Sequence, residues 1–91
     1  GQIITIRIPD LTEERRKDLI KILKGMSEKS KVSIRNIRRE GNEELKKLLN
    51  EKKISEDVSK SFEKNTQKIT DENIESIEKI AEEKEKEILQ I

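Results

Sequence analysis

The stretch from Lys31 to Arg39 holds the residues of this sequence that are best suited to binding chemistry. It contains no acidic residue, and three of its last five positions are Arg35, Arg38 and Arg39. On a helix that turns about 100° per residue, these arginines fall within about 50° of one line, together with Lys31 and Lys46. Arginine offers a rigid, two-pronged fork for phosphate oxygens. This basic row (Lys31, Arg35, Arg38, Arg39 and Lys46) therefore predicts a surface that binds a nucleic-acid backbone.

Ion pairing with a neighbouring helix is the other interpretation of the basic row. Residues 12–50 contain twelve basic and seven acidic side chains, so this segment carries +5. Residues 55–91 contain six basic and eleven acidic side chains and carry −5, although the whole chain carries only +1. Spacing alone leaves phosphate binding and ion pairing open as alternatives.

The composition excludes most catalytic and metal sites. The chain has 91 residues with neither Cys nor His, which removes disulfides, thiolate metal sites and the commonest general base. Three glycines are too few for a glycine-rich phosphate loop. The carboxylates near the C-terminal end lack the spacing and the glycine of a calcium loop. These absences exclude most enzyme classes, and we expect no cofactor and no metal ion.

A core of its own is hard to build from this chain, which is 45% charged, 30% hydrophobic and 1% aromatic. A domain of this size buries only about 60% of its unfolded surface. No apolar run is long enough to span a membrane, and no signal-peptide pattern is visible at the start. We expect neither a membrane association nor secretion.

A long helix is predicted over about residues 12–50. Thr12 is a good N-cap residue, and Glu13 and Glu14 suit the positive end of the helix dipole. Apolar residues recur at spacings that are sums of three and four, which is typical of one helical face. They are Leu19, Leu23, Met26, Ile34, Ile37, Leu45 and Leu48. Gly41 falls on this face, where it indicates either a close approach of another segment or a kink.

A second helix is predicted from Ser55, its cap residue, to about residue 89, after a linker at about 51–54. Its apolar stripe consists of Val58, Phe62, Ile69, Ile77, Ile80 and Ile88, with Ile74 at the edge. Because the linker is short, the two helices should form an antiparallel hairpin. The predicted fold class is therefore all-α.

Residues 1–11 have the alternation of a β-strand, with Ile4, Ile6 and Ile8 separated by Thr5 and Arg7. One strand has no partner within this chain, so we expect an extended segment that either pairs with something outside it or is frayed.

The apolar stripes of the two helices are wider than one mutual contact can cover. Stripes of this width suit a bundle of three or four helices. A further helix would come from sequence that is absent here or from another copy of the chain. A simple hairpin that dimerises is the alternative, and composition alone does not separate the two.

Several segments resemble ribosome recycling factors, in the same order along nearly the whole chain. They are PDLTEERRKDLIKILK (9–24), KVSIRNIRREGNEELKKL (31–48), KKISEDVSK (52–60), TQKITDENI (66–74) and KEKEI (84–88). The resemblance implies a long three-helix bundle with a smaller β-rich domain inserted after the first helix. This chain would supply the last two helices (12–91) and a strand left over from the inserted domain (1–11), and the first helix would be missing. The chain departs from the family at Asp10, usually proline, and at Gly41, more often alanine.

The resemblance also implies a function. Ribosome recycling factors bind the large subunit after termination and, with elongation factor G, dissociate the ribosome, without being enzymes themselves. Their bundle lies on ribosomal RNA, and the arginines that match their R-N-x-R-R block are Arg35, Arg38 and Arg39, of which Arg38 is central. We therefore expect ribosomal RNA binding by the basic row, in the bacterial cytoplasm or an organelle. The alternative is a coiled-coil scaffold that binds only proteins. The chain by itself is expected to self-associate.

Overall fold

Two long α-helices form an antiparallel hairpin in the computed structural model, which describes residues 12–90. Helix α1 spans Glu13–Asn50 and helix α2 spans Glu56–Gln90, and no strand occurs within the described range. The helices pack along their length, with Lys31 beside Glu78 near the middle of α1 and Arg38 beside Gln67 closer to the turn. The predicted all-α hairpin is confirmed. The predicted extended segment at residues 1–11 lies outside the described residues.

Both helices begin where the capping residues predict. The Oγ1 atom of Thr12 accepts a hydrogen bond of 3.1 Å from the backbone N–H of Arg15 at the start of α1. The Oγ atom of Ser55 accepts one of 3.2 Å from the N–H of Val58 at the start of α2. Each cap satisfies a backbone donor that has no partner within its own helix. Two acidic residues follow each cap in the first turn, where they favour the helix dipole.

The turn after α1 closes with two backbone hydrogen bonds that run back into the helix. The N–H of Lys53 donates to the carbonyl of Leu48 at 2.9 Å, and the N–H of Lys52 donates to that of Leu49 at 3.0 Å. This pair of bonds is the Schellman arrangement, which requires a left-handed residue just past the helix end. Lys52 fills that position with φ of 59°. A lysine thus occupies a backbone conformation that glycine adopts more easily.

Helix α1 runs without interruption through Gly41. A Cβ atom added at Gly41 would meet nothing within 4 Å, so no described segment approaches it closely. Within residues 12–90, the structure therefore shows no close approach at Gly41 and no break in the helix there, and the predicted single long helix is confirmed. In this range the glycine only lowers the local helix propensity.

The contact between the helices, which we call the seam, repeats every eleven residues. Its positions are buried or half-buried and follow steps of three and four residues, apart from one step of seven between Ser59 and Thr66 on α2. They are Ile20, Leu23, Ser27, Lys31, Ile34, Arg38, Asn42, Leu45 and Leu49 on α1, and Ser59, Thr66, Thr70, Ile74, Ile77, Ala81, Glu85 and Ile88 on α2. Eleven residues in three turns give 3.67 residues per turn, close to the natural period of an α-helix.

Small and polar side chains occupy much of the seam. No hydrophobic side chain is fully buried within residues 12–90, whereas Ser59 and Thr70 are each only 5% exposed. The hydroxyl of Thr70 donates to the carbonyl of Thr66 at 2.7 Å, so its burial leaves no donor unsatisfied. The hairpin is therefore held by close packing of slender side chains and by polar contacts more than by an apolar core.

One side of the hairpin exposes most of the other large apolar residues, and we call it the apolar side (Ile22, Met26, Ile37, Val58, Phe62, Ile69 and Ile80). Ile37 is 67% exposed and Met26 is 64% exposed. Ile37 and Ile69 line one stretch of the groove between the helices, and Met26 and Ile80 line another. The predicted apolar stripes are thus divided, because Leu23, Ile34 and Ile77 meet the other helix while these residues do not. This division agrees with the prediction that a hairpin alone leaves part of each stripe uncovered.

The left-handed conformation of Lys52 leads to the first prediction. Lys52→Gly should raise the free energy of unfolding by roughly 0.5 kcal/mol, because relief of about 1–2 kcal/mol of steric cost exceeds the extra entropy of glycine, about 0.5–1 kcal/mol. Thermal denaturation followed by circular dichroism measures the change. Lys53→Gly is the matched control, since its φ is not positive, and it should be neutral or destabilising. A loss of stability in Lys52→Gly would contradict the assignment of the turn.

Candidate nucleic-acid interface

The basic row lies across the hairpin from the apolar side. On α1, Met26 and Ile37 lie about 100° to one side of the seam, and Arg39 lies about 100° to the other. The groove between the helices on this second side is lined with charged residues. Lys24 and Lys31 line it opposite Glu78, Glu82 and Glu85, and Arg38, Arg39 and Lys46 line it opposite Glu63. Glu28 and Glu43 of α1 also line it, so a mostly basic edge of α1 runs beside an acidic edge of α2.

Lys31 is held by ion pairs within the hairpin. Its Nζ atom lies 3.1 Å from Oε1 of Glu78 on α2 and 3.7 Å from Oε1 of Glu28 on its own helix. Only 14% of the Lys31 side chain is exposed. For this member of the basic row the structure matches the ion-pairing interpretation. Its position makes it a cross-link between the helices.

Arg38 is half-buried in the seam and contacts α2 through an uncharged partner. Its terminal nitrogen Nη1 donates to Oε1 of Gln67, and Nε2 of Gln67 donates to Oδ1 of Asp71 at 2.7 Å. The Nε atom of Arg38 is buried and has no hydrogen-bond partner. Within residues 12–90 no carboxylate oxygen lies within 4.0 Å of the guanidinium. The positive charge of Arg38 is therefore anchored without a direct ion pair.

Arg35, Arg39 and Lys46 are exposed. None of the three forms an ion pair with another residue of the described range. Lys24, Arg35 and Lys46 are eleven residues apart, which places them in a line with intervals of about 16 Å at 1.5 Å per residue. The structure thus brings four predicted residues (Arg35, Arg38, Arg39 and Lys46) to one side, with cationic groups that no acid within residues 12–90 pairs with directly.

Gln67 and Asp71 belong to this site, and sequence reasoning missed both. Nothing in their spacing on α2 relates them to Arg38, which lies 29 residues before Gln67. Gln67 and Asp71 can be placed beside Arg38 only when the register between the two helices is known. The turn that sets this register has no distinctive sequence. Only the resemblance of the segment 66–74 to a known family marked the region.

The arrangement is that of a binding surface for a polyanion. Arginine forks and a lysine ammonium bind phosphate oxygens by charge-assisted hydrogen bonds. No group of three or more Asp or Glu side chains in residues 12–90 is arranged to hold a metal ion. In the same range, neither helix has a stretch that is apolar and long enough to cross a membrane.

Comparison with known proteins gives a consistent match. A family model described as "Ribosome recycling factor" matches residues 1–89. The ribosome-recycling factor of Bdellovibrio bacteriovorus is 50% identical over 91 residues, which cover all of this chain and 49% of that protein. The ribosome-recycling factor of Staphylococcus carnosus is 53% identical over the whole chain and 50% of its own length, and that of Listeria welshimeri is 50% identical over 49% of its length. The chain spans about half the length of the curated relatives it matches.

The different surroundings of Lys31 and Arg35 lead to the second prediction. Lys31→Ala should lower the free energy of unfolding by about 0.5–1 kcal/mol, since it removes a cross-link between the helices. Arg35→Ala should change it by less than about 0.5 kcal/mol, because its side chain is exposed and unpaired within residues 12–90. Urea denaturation of the two variants measures both values. Equal destabilisation would mean that Lys31 does not hold the hairpin together.

Proposed function

The chain belongs to the ribosome recycling factor family, and from that premise we propose that its basic row binds ribosomal RNA of the large subunit. The observation that carries the proposal is the set of cationic groups that lack ion pairs within residues 12–90. Arg35, Arg39 and Lys46 are exposed, and Arg38 is anchored by an amide. Such groups are free to receive phosphates, whereas Lys31 already has two acidic partners.

The proposed role is recycling of the ribosome after termination. Together with elongation factor G, which hydrolyses GTP, the whole factor dissociates the post-termination ribosome, in the bacterial cytoplasm or inside an organelle. This chain contributes binding and no catalytic step of its own. The names and the shared sequence of the relatives support this role, and their doubled length means that the activity belongs to a larger unit than these 91 residues.

The charge pattern determines how the hairpin meets RNA. Residues 12–50 carry +5 and residues 55–91 carry −5, so the two helices have opposite preferences near a polyanion. The basic edge of α1 turns toward phosphates, and the acidic edge of α2, which includes Glu78 and Glu82, turns away from them. We infer that the hairpin docks in one orientation about its long axis.

The apolar side has a separate proposed role as a packing surface. In the whole factor it receives the first helix of a three-helix bundle, which covers side chains such as Met26, Ile37 and Ile69. Their exposure supports this proposal, since more than half of each is open to solvent. Because the apolar side lies across the hairpin from the basic row, a third helix leaves the RNA-binding surface free.

The third prediction concerns binding to the large subunit. Arg38→Ala and Arg39→Ala in the whole factor should each weaken binding and reduce the slope of log affinity against log salt by about 1, because each removes a phosphate contact. Co-sedimentation with large subunits over a series of salt concentrations measures both quantities. Lys79→Ala is the matched control: it also removes one positive charge, but from an exposed position on α2 midway between the seam residues Ile77 and Ala81, and it should leave the slope unchanged.

Equal effects of Arg39→Ala and Lys79→Ala would contradict a specific site. The scaffold alternative with protein partners is supported by two results together. The factor would not sediment with large subunits at moderate salt, and charge reversal at Arg38 would leave its sedimentation unchanged.

The fourth prediction concerns the chain by itself. We expect two copies to associate through their apolar sides, because burial of exposed apolar surface is favourable by about 25 cal/mol per Å². Light scattering should show a mass above that of a monomer, and Ile69→Glu should lower it. Val32→Glu is the matched control, since Val32 is 48% exposed but lies on α1 away from the apolar side. A monomeric mass at high concentration would contradict this prediction.

A further inference from the structure

We propose that Gln67 is a positioning residue that holds the Arg38 guanidinium ready for phosphate, with Asp71 fixing the orientation of the Gln67 amide. This inference rests on the proposed function, since it concerns the same RNA-binding side. It assigns to α2, the acidic helix, a direct part in preparing a cation of α1.

The direction of the hydrogen bonds follows from the chemistry of the three groups. An ionised carboxylate only accepts hydrogen bonds, so Asp71 requires the Nε2 donor of Gln67, at 2.7 Å. The Oε1 atom of Gln67 is then turned toward Arg38, whose guanidinium only donates, and it accepts from Nη1. Asp71 accepts a hydrogen bond from the Nε2 end of the Gln67 amide, and the Oε1 end accepts one from Arg38. Asp71 therefore determines which end of the amide faces the arginine.

The same geometry determines which donors of Arg38 remain for a ligand. Its Nε atom is buried, and one N–H of Nη1 is used by Gln67. Arginine has five N–H donors, so the remaining hydrogens of Nη1 and Nη2 form the outward end of the fork. A phosphate therefore meets Arg38 end-on, through its two terminal nitrogens.

An amide suits this position better than a carboxylate. Glutamate at position 67 would also accept a hydrogen bond from Arg38, but its charge would offset the charge that attracts phosphate. Gln67 supplies the acceptor without that charge, and the carboxylate that orients it stands one helical turn further along, at Asp71. Arg38 is thus held in place while its charge stays available to RNA.

Replacement of Gln67 tests the proposal directly. In the whole factor, Gln67→Leu should weaken binding to large subunits by about three- to tenfold, because Arg38 must then be ordered at the moment of binding. Gln90→Leu is the matched control, since it makes the same change on α2 far from the basic row, and it should bind unchanged. In the Arg38→Ala background, Gln67→Leu should have no further effect. An additive loss in that background would overturn the positioning role.

Two substitutions at Asp71 separate positioning from charge. Asp71→Asn and Asp71→Ala both remove one negative charge near the RNA, which by itself favours binding. Asparagine keeps an acceptor for Gln67, whereas alanine has none. We expect Asp71→Asn to bind at least as tightly as the unsubstituted factor and Asp71→Ala to bind about threefold more weakly than Asp71→Asn. Alanine is the better helix former, so a weakened helix does not produce this order. Equal affinities of the two variants would overturn the proposal.

The outcomes distinguish this inference from the proposed function. If Arg38→Ala binds like the unsubstituted factor, RNA binding by this side fails, and the positioning role fails with it. If Arg38→Ala binds weakly and Gln67→Leu binds normally, only the positioning role fails. Circular dichroism of each variant checks that the helices persist. The Asp71 pair decides the question if Gln67→Leu loses helicity.

Discussion

The eleven-residue spacing of the seam decides where every other side chain of the hairpin points. Since 3.67 residues per turn is close to the helix's own period, α1 and α2 stay in contact over their length with little supercoiling. Rows of residues beside the seam therefore keep a constant direction. Lys24, Arg35 and Lys46 repeat on one side, and Ile69 and Ile80 repeat on the other. The separation into a charged side and an apolar side is a consequence of this spacing.

The chemistry of the seam explains why the hairpin has a definite register but little cohesion. Lys31 meets Glu78 and Arg38 meets Gln67 only in one alignment of the helices, and sliding by one turn would break both contacts. Contacts of this kind add little to stability, because Gln67 and Glu78 remain exposed to water. With no fully buried apolar side chain in residues 12–90, the main source of hydrophobic stabilisation still lies on the apolar side. The seam thus aligns the two helices, and the proposed three-helix bundle would take its hydrophobic stabilisation from the apolar side.

Local signals in the sequence predicted the helices and their ends. Thr12 and Ser55 cap the helices as expected, because an N-cap depends only on its neighbours in the chain. The division of the apolar stripes could not be predicted, since periodicity finds a broad face but not which half of it meets the partner helix. The left-handed turn residue escaped prediction because Lys52 stands where glycine is usual. The resemblance to ribosome recycling factors, by contrast, identified the family that the comparisons then showed.

The basic row was predicted as one surface, and its members turn out to differ in their surroundings. Helical geometry, with about 100° per residue, shows which side chains lie on one face of α1. It does not show which of them the second helix contacts. Lys31 and Arg35 lie on the same face, but Lys31 pairs with Glu78 of α2 and Arg35 is exposed. Because Lys31 forms ion pairs within the hairpin, four cations of the basic row are left for the proposed RNA contacts. Each phosphate contact contributes about 0.7–0.9 to the slope of log affinity against log salt. Four contacts therefore give a slope of only about 3, well below that of proteins with six to ten contacts. Under the proposed function, a surface of this size would position and orient the hairpin on RNA, and tight binding would require the rest of the factor.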